Sequence, residues 1–100
     1  ARRVSTDHRA SDPAEARRVA EEGGLVRHGR VGGQLSVSRS LGDHRLKSSG
    51  VSCVPDVVSC EVGGDHALVI ASDGLWDTLE DDDAFTLLGA CMERARHRGE

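Results

Sequence analysis

The sequence predicts an α+β fold with an antiparallel sheet, and three observations carry that reading. Helix-start and helix-stop signals stand toward both ends, around residues 11–24 and 80–98. Between them lie short Val- and Leu-bearing segments separated by Gly-Gly pairs at 23–24, 32–33 and 63–64. Strands grouped in the middle with helices outside fit hairpins, whereas a parallel doubly wound sheet would interleave the two.

Ala1–Arg9 is polar and basic. In Ser11-Asp12-Pro13-Ala14-Glu15, Asp12 suits the N-cap, Pro13 the first helical position, and Glu15 the third, where a carboxylate favours the helix dipole. Ala16, Val19 and Ala20 form a short apolar stripe and Gly23-Gly24 ends the helix, which is about 10 residues long and marginal alone. Leu25–His28 reads as a strand, Gly29–Gly33 as a turn, and Gln34–Arg39 as a second strand with Leu35 and Val37 on one face. Ser40–Lys47 holds a short helix or irregular turn, and Ser48–Pro55 is a connection. Asp56–Val62 alternates, with Val58, Cys60 and Val62 on one side, as a half-buried strand does. Gly63-Gly64-Asp65 is a hairpin turn, and His66–Ser72 is a buried strand that delivers Asp73 to a turn opened by Gly74. Glu80–Asp83 opens the last helix, with acids at its positive end and Arg94, Arg96, His97 and Arg98 at its negative end. Phe85, Leu88, Met92 and Ala95 recur at helical spacing, with Leu87 and Cys91 beside them.

Bulk properties narrow the function. One hundred residues make one small domain or a piece of a larger one. Hydrophobic residues are 37% of the chain and the only aromatics are Trp76 and Phe85, so the core is thin and leans on something else. Net charge is −4, which with so few stacking residues speaks against nucleic-acid binding. No apolar run approaches the roughly 18 residues of a membrane span, and no secretory signal opens the sequence. Cys53, Cys60 and Cys91 are odd in number, widely spaced and without a CxxC pair, which predicts buried free thiols in a reducing, intracellular compartment, cytoplasmic or nuclear.

Several residues offer chemistry. Asp73, after an apolar run and before a glycine, suits either a rigidly held metal ligand or ordinary turn chemistry. Arg30-Val31-Gly32-Gly33 sits in a glycine-rich hairpin or flap; it lacks the spacing of a phosphate loop and leads into a strand. Asp81-Asp82-Asp83 lacks the alternation and central Gly of a calcium loop and reads as a solvated helix start. Asp7-His8 is an acid–base or metal pair or, more simply, structural. Arg39 and Asp43 pair across a tight turn or, alternatively, Asp43 is a second metal ligand. Ser36, Ser38 and Ser40 lack a nucleophile elbow.

The ordered set Ser5-Thr6-Asp7-His8-Arg9, Gly23-Gly24, Arg30 through Asp43 (RVGGQLSVSRSLGD), Pro55-Asp56-Val57 and Val69 through Asp77 (VIASDGLWD) resembles the C-terminal half of the catalytic domain of type 2C metal-dependent protein phosphatases, over roughly residues 5–98. The resemblance implies residues 1–100 are part of an α-β-β-α sandwich, two antiparallel sheets flanked by helices. It implies hydrolysis of phosphoserine and phosphothreonine in proteins by a metal-activated water at a site with two Mg²⁺ or Mn²⁺ ions, in a domain that is a monomer. It makes Asp73 a metal ligand and places Arg30 to Gly33 beside the active-site flap, with Arg30 a substrate contact; Asp7, His8, Arg39 and Asp43 match structural positions. Hard cations neutralising a phosphate monoester want carboxylate oxygens on rigid elements, which suits Asp73. The family's early acidic residue, Asp-Gly-His-Gly segment, phosphate-binding Arg and final Asp-Asn motif do not stand in this sequence. One ligand cannot build a two-metal site, so these 100 residues alone are expected to be inactive, and open strand edges are expected to favour aggregation or partial folding. The alternative reading is a non-catalytic, phosphatase-like regulatory module; a generic α+β binding domain is a third.

Overall fold

A computed structural model describes residues 1–64 and 67–99. Among them are two antiparallel strands and four helices, and the chain divides into two compact units, residues 5–58 and residues 1–4 with 59–100.

The first unit begins with α1 (Pro13–Glu21). Asp12 caps it from an extended backbone, its Oδ1 accepting from the Ala14 N–H at 2.9 Å, and Pro13 occupies the first turn where its missing donor costs nothing. The helix stops where the Gly23 N–H reaches back to the Ala20 carbonyl and Gly24 to Val19. Gly23 has φ +86, the left-handed conformation that glycine adopts without penalty. Gly24 serves close approach instead: a Cβ there would lie 1.9 Å from the Ser49 carbonyl oxygen.

β1 (Val26–Arg27) and β2 (Arg30–Val31) pair antiparallel, Val26 opposite Val31 and Arg27 opposite Arg30. His28 and Gly29, at φ 53 and 69, close the hairpin in two residues, both left-handed as a type I′ turn requires. The expected five-residue turn over 29–33 is therefore shorter, and Arg30 lies in a strand. The valine pair faces inward: Val31 is fully buried with Ala10, Val19 and Val51, and Val26, Leu35 and Leu46 pack against them. The expected strand over Gln34–Arg39 reduces to isolated bridges, Val31 with Leu35, Arg9 with Val37, and Arg39 with Ser52. Gly32 and Gly33 reverse the chain immediately after β2, which leaves no length for a ladder. α2 (His44–Lys47) follows, held by the Lys47 ammonium donating to the Ser40 carbonyl.

From residue 53 onward the chain departs further from expectation. Residues 53–62 and 67–72 have no regular secondary structure, and residues 53–71 make no backbone–backbone hydrogen bond among the described residues. The half-buried strand expected over Asp56–Val62 and the buried strand expected over His66–Ser72 are thus absent; His66 itself, and Asp65 of the expected turn, lie outside the described residues. Ile70 and Val57 are each 87% exposed. An apolar run becomes a strand only when a neighbour satisfies its N–H and C=O groups, and no described segment does so. Two helices follow, α3 (Asp73–Trp76) and α4 (Asp81–Arg98). The Trp76 indole N–H donates to the Ala71 carbonyl at 3.1 Å. α4 starts and stops as its charges predict, ending on Gly99 in the left-handed conformation. Arg3 grips Asp81 with two hydrogen bonds of 2.8 and 3.1 Å, holding its carboxyl below the usual range. The apolar stripe of α4 is only partly covered: Ala84 is buried, Phe85 and Leu88 half-buried, Leu87 54% exposed. No helix among the described residues is long and apolar enough to cross a membrane.

Candidate functional site

Asp73 is the first residue of α3, presented by Ser72 in extended backbone rather than by a buried strand. Its carbonyl accepts from the Asp77 N–H at 2.8 Å, which fixes the backbone of the turn. Its carboxylate is exposed and makes no hydrogen bond or ion pair among the described residues. A carboxylate without an internal partner keeps its lone pairs for an external cation. Yet no group of three or more His, Cys, Asp or Glu among the described residues is placed to hold a metal ion. A Mg²⁺ or Mn²⁺ site needs several oxygen ligands, so the residues present do not form one by themselves.

Arg30 is exposed, and its Nη1 donates to the Gln34 carbonyl at 2.9 Å. Gln34 Oε1 in turn accepts from Arg45 Nη2 at 3.5 Å, so two guanidinium groups converge on one residue.

The most densely bonded part of the molecule is a polar network that local spacing did not reveal. Glu15, expected only to favour the helix dipole, is 6% exposed. Its carboxylate accepts from Ser38 Oγ at 2.6 Å and from Arg39 Nε and Nη2 at 2.8 and 2.9 Å. Arg18 lies 3.5 Å away and donates to the Gly50 and Ser38 carbonyls. The Arg39 hydrogen bonds, opposed by burial and helped by Ser38 and the charges of Arg39 and Arg18, hold the Glu15 carboxyl down at about 2 against an ordinary 4.5. Arg39 also reaches Asp56 at 2.9 Å and the Val54 carbonyl at 3.2 Å. Asp56 meets His8 Nε2 at 2.8 Å, and its carboxyl is held low first by His8 and then by Arg39. Arg39 thus pairs with Glu15 and Asp56 and not with Asp43, which adopts a left-handed backbone (φ 50) at the head of α2. This network pins α1, the 36–40 segment and the Pro55-Asp56 stretch together. His8, Ser38, Arg39 and Asp56, far apart in sequence, are thus structural neighbours. Cys53, Cys60 and Cys91 are free as expected but exposed rather than buried, because the segments that carry them lack a covering layer.

The profile of the family described as Protein phosphatase 2C matches residues 1–98. Protein phosphatase 2C homolog 1 of Saccharomyces cerevisiae is 45% identical over 87 residues, covering 86% of this chain and 31% of its own length. The Schizosaccharomyces pombe protein of the same name is 44% identical, covering 82% of this chain and 24% of its own length. Integrin-linked kinase-associated serine/threonine phosphatase 2C of Homo sapiens is 37% identical over 91 residues, covering 90% of this chain and 23% of its own length. The chain belongs to the protein phosphatase 2C family. It spans less than a third of the length of these relatives.

Proposed function

We propose that this chain is one segment of a larger protein serine/threonine phosphatase domain, to which it contributes Asp73 as a metal ligand and the Arg30 hairpin as a substrate contact. The observation that carries the reading is Asp73 itself: an exposed carboxylate without a partner among the described residues, in the Ser-Asp-Gly motif of a chain that belongs to the protein phosphatase 2C family. Mg²⁺ or Mn²⁺ ions, when bound, would neutralise phosphate oxygens and activate water for in-line attack on phosphorus. The remaining ligands come from outside this chain, in an α-β-β-α sandwich whose sheets also supply the strand partners that the described residues of segments 55–64 and 67–72 lack. Phosphoserine and phosphothreonine proteins are the substrates, a class supported by the serine/threonine phosphatase name of a relative. The complete domain is a monomer, works inside the cell, and has neither nucleic acid nor a membrane as its partner.

Calorimetric titration with Mn²⁺ tests the ligand role. The complete phosphatase is expected to bind Mn²⁺ with an affinity that Asp73→Asn lowers at least tenfold, while this chain alone binds it weakly. Unchanged affinity in Asp73→Asn would overturn the assignment and favour the non-catalytic regulatory module.

A further inference from the structure

The β1–β2 hairpin carries charge in an arrangement that costs stability. Arg27 and Arg30 are cross-strand partners, so their side chains leave the same face of the ribbon, opposite the face on which Val26 and Val31 meet the core. Like charges directly opposite one another are destabilising. The two-residue turn leaves no slack by which the pair separates. Arg45, from α2, joins them through Gln34, whose carbonyl takes Arg30 and whose side chain takes Arg45. All three are exposed, and none has a carboxylate partner among the described residues. Contrast Arg39 and Arg18 in the same unit, each matched with Glu15. Between Leu25 and Val54 the only acidic residue is Asp43. The hairpin surface thus carries three exposed guanidinium groups without a carboxylate partner among the described residues, Arg30 and Arg45 held through Gln34 and Arg27 placed beside Arg30 by the strand register, each able to take a carboxylate in the plane of its fork.

We propose that Arg27, Arg30 and Arg45 form a docking surface for acidic residues that flank the phosphorylated residue of a protein substrate. A peptide is favoured over nucleic acid because no aromatic residue lies in this unit to stack a base; Trp76 and Phe85 both belong to the other. The substrate class rests on the phosphatase reading, but the surface is tested by binding rather than turnover, so the two fail separately.

The test is fluorescence anisotropy of the 100-residue chain with labelled phosphoserine peptides flanked by Asp and Glu, or by Asn and Gln. The acidic peptide is expected to bind about five- to tenfold more tightly at low salt, with the advantage shrinking as salt rises. Arg27→Gln with Arg45→Gln is expected to remove the preference, and the Arg27→Lys, Arg45→Lys pair, which keeps the charge and loses the fork, to retain only part of it. The same preference is then read as the ratio of kcat/KM for the two peptides on the complete phosphatase, which guards against poor behaviour of the isolated chain. Equal binding of acidic and neutral peptides, or a preference that survives the Gln variant, would overturn the proposal. Tighter binding of a single-stranded oligonucleotide of equal length would overturn the choice of a protein ligand.

Discussion

Replacing Glu15 with Gln keeps the side-chain volume and removes one charge from the centre of the polar network. The carboxylate accepts three hydrogen bonds at 2.6, 2.8 and 2.9 Å, two of them from the Arg39 guanidinium. A carboxyl held at about 2 against 4.5 contributes up to about 3 kcal/mol of stability at neutral pH. Solvent at the Asp56 end of the network reduces this to about 2 kcal/mol. Removing one charge also leaves the half-buried Arg39 with Asp56 as its one carboxylate partner among the described residues, which pushes the loss toward the upper figure. The assay is amide hydrogen exchange in α1, where the Val19 and Ala20 N–H groups report opening of this unit. Glu15→Gln is expected to speed their exchange by about 30- to 150-fold, the equivalent of 2–3 kcal/mol at about tenfold per 1.4 kcal/mol. Because the folded-state value is depressed, the contribution is complete above the ordinary 4.5 and is lost as pH falls toward about 2. Exchange corrected for its intrinsic rate should therefore accelerate through that window in the wild-type chain and not in the variant. Exchange within twofold of wild type in Glu15→Gln, or protection unchanged between pH 5 and pH 2, would refute the reasoning.

Gly24→Ala would drive a Cβ to 1.9 Å from the Ser49 carbonyl oxygen and 2.9 Å from Val19 Cγ1, so α1 protection is expected to fall by about 2 kcal/mol or more. Gly89→Ala acts oppositely: the position is exposed, mid-helix in α4 and has open space for a Cβ, and a gain of about 0.8 kcal/mol in α4 protection is expected from helix propensity alone. A carboxyl NMR titration should place Asp56 below its ordinary 3.8, and His8→Ala should move it back up; stability from this pair is present above 3.8 and lost as pH falls below it. Purified alone, the chain should show no Mn²⁺-dependent turnover of a phosphopeptide; turnover abolished by Asp73→Asn would contradict that.

What the sequence made legible follows from the range of the interactions involved. α1 and α4 were readable because Asp12, Pro13 and Gly23 on one hand, and the Asp81–Asp83 and Arg96–Arg98 charges on the other, act within a turn or two of themselves. The hairpin was readable from its glycines, but its length was not: His28 takes a left-handed conformation that its residue type does not announce. The strands expected over 56–62 and 66–72 depend on partners that the described residues do not provide, and periodicity records a preference for burial rather than the presence of a neighbour. Glu15 stands in the first turn as expected, but its larger role was not readable, for a related reason. Its partners Ser38 and Arg39 are 23 and 24 residues away, and helix position alone gave a sufficient account of a carboxylate in a first turn. Asp73 was found through a motif rather than through geometry, and its support changed from the end of a buried strand to the head of a short helix.

The central claim is that Asp73 holds a catalytic metal in a complete phosphatase of this family. Steady-state hydrolysis of a phosphoserine peptide by the complete protein in Mn²⁺, wild type against Asp73→Asn, measures it directly. A fall in kcat/KM of about 100-fold or more is expected, with α3 and α4 amide protection unchanged, since the side chain has no partner among the described residues to lose. Wild-type turnover in Asp73→Asn, at saturating or limiting Mn²⁺, would contradict it.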